Sequence, residues 1–178
     1  FAALDPLGFP NDIAFDDHHN MYVTDPFLGL IWKLDKYGAP DVWIADPLLE
    51  GNPASPYLLI HDFGVDGIAF NQHKDELYVG NLDYGTIVRI PLECGGDAGE
   101  PEVFVDDFAS LAGADGIAFD KKGDLYVAVN GQDRVARVDE DGDVTIVAQG
   151  GLLDGPSSVV FGQTAKTKKN LYVTSFAI

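Results

Sequence analysis

Three features of this 178-residue sequence predict an all-β fold of repeated four-stranded antiparallel blades, a β-propeller. One apolar phrase recurs as "PNDIAF" at 10–15, "VDGIAF" at 65–70, "ADGIAF" at 114–119 and, more faintly, "PSSVVF" at 156–161. Each copy is followed, after a polar turn, by a second strand-like phrase: "MYVTD" at 21–25, "LYVGN" at 77–81, "LYVAVN" at 125–130 and "LYVTS" at 171–175. No stretch carries a helical period long enough to compete with this pattern.

The first two strands of each unit form a hairpin, with "DDHHN", "NQHKDE" and "DKKGD" as the turns of the first three. A third strand alternates apolar with polar or basic residues in "LIWKLD" (30–35), "TIVRIP" (86–91) and "RVARVD" (134–139). A fourth is expected in "DVWIA", "PEVFVDD" and "DVTIVAQ". A four-stranded meander cannot bury both of its faces alone, and stacking such sheets about an axis solves that problem. The units begin near residues 10, 65, 114 and 156, at uneven spacing, so their loops differ in length. The chain opens on a first strand and stops on a second, whereas a complete ring closes by pairing its termini in one blade. The expectation is a single domain over 1–178 that forms about four blades of a six-bladed ring, its N-terminal blades missing and supplied by an absent segment or another chain.

Composition narrows the function. With 29 acidic against 11 basic side chains the formal charge is -18, which repels phosphate backbones and anionic headgroups and argues against nucleic-acid or membrane partners. No apolar run approaches the roughly 18 residues of a membrane span. Acidity suits a secreted or periplasmic setting but leaves the compartment open. The single cysteine, Cys94 in "ECGGDAGE", allows no intrachain disulfide and reads as a loop thiol.

In a propeller the first strand of each blade lines the central channel, so one alignment column becomes a ring about the axis. The column two positions before the Ile reads Asn11, Asp66, Asp115 and Ser157, every one of them oxygen-bearing. Carboxylates and an amide converging on one axis call for a cation between them. A hard divalent ion fits such donors, calcium first, with magnesium, manganese or zinc as alternatives. The competing reading is that each residue caps the turn entering its strand. A second column, Asp25, Asn81, Asn130 and Ser175, stands near the ends of the second strands and is expected to line the same mouth more weakly.

The phrases "FPNDIAFDDHHNMYVTD", "GVDGIAF", "GADGIAFDKKGDLYVA" and "GPSSVVFG…NLYVTS" resemble, over nearly the whole chain, the senescence-marker-protein (regucalcin), gluconolactonase and luciferin-regenerating-enzyme group of six-bladed propellers. The resemblance implies metal-dependent hydrolysis of lactones. It implies Asn11 in contact with substrate or metal, Asp66 as a ligand, and Asp115 as both ligand and general base. Two departures stand out: the group usually has Asn where this chain has Asp66, and its Glu ligand comes from a first blade not found here. The same words occur in NHL-repeat and strictosidine-synthase-like propellers, some of which bind without catalysis. A noncatalytic module for a protein or small ligand, with a structural ion or none, is therefore the alternative. A metal-free strictosidine-synthase-like enzyme is disfavoured by the two Asp residues of the ring.

Among the remaining residues, His61 in "LLIHDFGVDG" runs into the channel entrance and is a candidate substrate contact or proton shuttle. His18 and His19 sit in a hairpin turn at the opposite end of the strands. "DEDGDV" at 139–144 lacks the distal acid of a calcium loop and reads as a turn. The insertion at 45–64 is expected to overhang the mouth and set specificity. Trp32, Trp43 and the repeated tyrosines are expected to pack between blades.

Overall fold

The structure is a computed structural model that describes residues 2–54 and 62–176. Its strands fall into three four-stranded antiparallel sheets and one two-stranded sheet, each joined in simple sequence order. The first sheet holds β1 (Ile13–Phe15), β2 (Met21–Asp25), β3 (Leu30–Leu34) and β4 (Pro40–Ala45). The second holds β5 (Val65–Phe70), β6 (Glu76–Asn81), β7 (Thr86–Pro91) and β8 (Glu102–Asp106). The third holds β9 (Ala114–Phe119), β10 (Leu125–Val129), β11 (Arg134–Val138) and β12 (Val144–Gln149). A last hairpin pairs β13 (Pro156–Phe161) with β14 (Leu171–Ser175). One short helix was not foreseen: α1 (Phe108–Leu111) follows β8, started by Asp107, whose side chain accepts the Ser110 N–H.

The core lies between sheets rather than within any one of them. Tyr22, Val65, Leu77 and Ile90 cluster between the first and second sheets, and Tyr78, Ile117, Leu125 and Val127 between the second and third. The two repeated phrases explain this stacking. The tyrosine of each "YV" meets, edge to face, the phenylalanine that ends the next blade's first strand: Tyr22 with Phe70, Tyr78 with Phe119, Tyr126 with Phe161. Tyr22 also meets Trp43, as expected for a residue packed between blades. At the two ends of the array the same joint is half made, with Phe15 50% and Tyr172 49% exposed.

Polar residues close the hairpins away from the channel mouth. Asp16 accepts the N–H groups of His18 and Asn20, and Asp120 does the same for Lys122 and Asp124. Asp139 accepts Asp141 and Asp143 N–H, so "DEDGDV" is the β11–β12 turn. No helix among the described residues is long and apolar enough to cross a membrane.

Candidate functional site at the channel mouth

The residues of the recurring column meet because every first strand is interrupted at the same place. In an unbroken strand successive side chains point to opposite faces. Here Val65 pairs with Asn81 and Ile68 with Val79, leaving Asp66 and Gly67 against one residue of β6. The same two-against-one bulge sets Asp115 and Gly116 against Ala128, and the register also shifts at Ser157 in β13. Just before β1, Asn11 N–H donates to the Thr24 carbonyl while Thr24 N–H donates to that of Asp12, the same arrangement again. A bulge re-aims the side chain it carries. The result is a cavity of about 450 Å³ whose wall includes Asn11, Asp66, Asp115, Asn130 and Ser157.

Glycine lets the bulges crowd together. A Cβ on Gly67 would overlap the Asp115 carbonyl oxygen, and one on Gly116 would lie 2.7 Å from the Ser158 Cα. Where those blades have glycine, the first has Asp12, a wall residue that the column analysis passed over. Its carboxylate accepts the Ile13 N–H and, across the blade boundary, the Ile68 N–H at 3.1 Å. The available signal was an acidic residue in a column that is otherwise Gly or Ser.

These carboxylates lie in a medium that disfavours their charge. Asp66 is 1% exposed, and its Oδ1 is buried without a hydrogen-bond partner. Burial first, then the nearby charges of Asp115 and Asp12, hold its pKa well above the usual carboxylate range. Asp115 accepts the Asn130 side-chain N–H at 3.3 Å, yet burial outweighs this and raises its pKa to about 7. Asp12 is also raised by burial, against the opposing pull of its two backbone donors. Thr24 ties the first blade to this floor, its hydroxyl donating to the Asp66 carbonyl at 2.5 Å.

The second column divides. Asn130 lines the cavity, but Asn81 is buried elsewhere, donating to the carbonyls of Leu48 and Glu50 and so anchoring the start of the 45–64 insertion. Asp25 is fully buried and accepts the Phe9 N–H and the Trp32 indole N–H. Ser175 pairs with Pro156 at the end of the last hairpin. His61 lies outside the described residues. His18 lines a different cavity, with Asp16 and Lys74 at the other end of the strands. The apolar part of the wall, Phe9, Phe63, Leu82 and Phe176, carried no repeat signal and was missed.

With strands, joints and mouth in place, comparison with known proteins is direct. Residues 60–177 match the sequence model of the SMP-30/Gluconolactonase/LRE-like region. The chain belongs to that family. A protein of Phoma sp named "Putative hetero-Diels-Alderase" is 30% identical over 159 residues, covering 84% of this chain and 43% of that one. Among solved structures, a gluconolactonase of Xanthomonas campestris superposes with a TM-score of 0.68 at 19% identity, over 93% of this chain and 54% of that one. A calcium-binding regucalcin of Agrobacterium tumefaciens gives 0.67 at 21% identity, over 90% and 52%. The SMP-30-like chain thus shares the propeller fold of proteins about twice its length.

Proposed function

We propose that the cavity is the reaction site of a metal-dependent hydrolase of lactones. One observation carries the reading: Asp66 and Asp115, on neighbouring inner strands, face one cavity, and a buried oxygen of Asp66 has no partner. Hard oxygen donors of this kind fit a divalent ion, calcium above all, with Asp66, Asp115 and the Asn11 amide as its holders. Among the described residues no group of three or more His, Cys, Asp or Glu is spaced to hold an ion, so its other donors would be neutral oxygens. When bound, the ion would polarise an ester carbonyl and acidify a water.

The chain's own residues supply the remaining parts. Asp115, oriented by the Asn130 amide, takes the proton of the attacking water at its carboxylate. Asn11 at the rim donates to the oxygen on which negative charge develops. The buried floor keeps bulk water from competing.

The test is divalent-ion content after dialysis, together with hydrolysis of a lactone panel with and without chelator, for the native protein and Asp115→Asn. About one ion per chain and chelator-sensitive hydrolysis, both lost in the variant, are expected. Full hydrolysis by a folded Asp115→Asn would overturn the assignment of the base. That no three acidic side chains among the described residues are spaced to share an ion favours a second reading, a propeller that binds a small molecule without turning it over, and ligand binding with no hydrolysis of any lactone would establish it.

A further inference from the structure

We propose that the site selects small molecules carrying a flat aromatic ring beside their oxygen-bearing group, and that Phe9 and Phe63, backed by Phe27, form the shelf on which that ring lies. The inference takes the cavity of the preceding proposal as the binding site but does not require hydrolysis. Phe9 stacks on Phe27 with ring centroids 4.9 Å apart, and both meet Phe63 edge to face, at 5.5 and 5.2 Å. Phe9 and Phe63 line the same cavity as Asp66 and Asp115. An edge-to-face cluster presents both ring faces and ring edges, the two surfaces to which another aromatic ring is complementary. A hydrophilic sugar gains less from these rings, because any hydroxyl turned toward them loses water without gaining a hydrogen bond.

The shelf is held from behind. Asp25, fully buried, accepts the Phe9 N–H at 2.8 Å and the Leu28 N–H at 3.3 Å, fixing the Phe9 backbone and the turn that follows Phe27. Asp83, also fully buried, accepts the Asn52 N–H at 3.0 Å and the Phe63 N–H at 2.7 Å. It therefore closes the base of the insertion and fixes where Phe63 enters the wall. Two buried carboxylates, neither of which lines the cavity, each grip the backbone of one shelf phenylalanine. Such support behind apolar side chains is expected of a binding wall, where ring positions must be reproducible. A cavity of about 450 Å³ is large enough for a bicyclic ligand.

The test uses 2-naphthol as a neutral fluorescent aromatic probe and myo-inositol as a hydrophilic control, with dihydrocoumarin and glucono-1,5-lactone as the matching pair of lactones. Binding of 2-naphthol but not inositol is expected, weakened roughly three- to tenfold in Phe9→Leu and in Phe63→Leu, which keep apolar bulk but lose the ring. Asp83→Asn, which preserves shape but weakens the grip on Phe63, is expected to weaken 2-naphthol while leaving the circular dichroism spectrum unchanged. Equal binding of the two probes, or 2-naphthol binding unchanged in both leucine variants, would overturn the shelf. Ring-dependent binding with neither lactone hydrolysed would leave the shelf standing and remove the hydrolase reading. Hydrolysis of glucono-1,5-lactone in preference to dihydrocoumarin would do the reverse.

Discussion

Removing divalent ions and raising the pH from 5 to 8 is expected to destabilise this protein through the channel mouth. In the folded chain Asp115 has its pKa raised from 3.8 to about 7. A folded pKa above the unfolded one means that the native state holds the proton more tightly. Its contribution is fully favourable below about 3.8 and is lost as pH rises through 7. Between pH 5 and 8 about two of the three units are lost, roughly 3 kcal/mol, or a melting temperature lower by about 9 °C for a domain of this size. Asp66, raised for the same reasons, acts in the same direction. The assay is calorimetric melting in chelator at both pH values, for the native protein and Asp115→Asn, where the difference between the two reports this group together with its coupling to Asp66. The variant should be the more stable at pH 8 and close to the native protein at pH 5. Millimolar calcium should stabilise the native protein at pH 8 more than at pH 5. A melting temperature that rises with pH, or a variant that keeps the native slope, would refute the electrostatic account of the floor.

Three further outcomes follow from the packing. Tyr78→Ala removes a ring that meets both Phe104 and Phe119, and should cost about 3–5 kcal/mol in urea unfolding. Gly116→Ala forces a methyl group against the Ser158 backbone; a loss of about 1–3 kcal/mol is expected, accompanied by weaker 2-naphthol binding because the third and fourth inner strands must part. Asn81→Ala leaves the Leu48 and Glu50 carbonyls without their donor, at about 1–3 kcal/mol. Proteolysis within 45–64 should quicken while divalent-ion content stays unchanged, since Asn81 is not part of the cavity.

Much of the architecture was legible because it repeats. Period-two alternation placed the third strands to within a residue, as in "TIVRIP" and Thr86–Pro91, whereas the first strand of the chain begins only at Ile13. The Tyr and Phe of the recurring phrases became the joints between blades. Residues in one column of a repeat must occupy equivalent places, so Asn11, Asp66, Asp115 and Ser157 could be grouped before any coordinates existed. Asn81 and Asp25 went astray because the end of a second strand faces either the mouth or the neighbouring loop. Which of these occurs depends on the insertion packed there, and loops of unequal length carry no column to read.

The sequence alone therefore determined the class of fold, the blade register and the identity of the oxygen-bearing ring, since each is set by local periodicity and by symmetry among copies. Only the tertiary structure decided that Asp12 joins the ring, that Asp66 carries a buried oxygen without a partner, and that Phe9, Phe27 and Phe63 converge into one aromatic cluster beside the cavity. The reason is physical: burial, charge coupling and aromatic contact depend on distances between segments far apart in the chain. Nothing in the local pattern of any one segment encodes those distances.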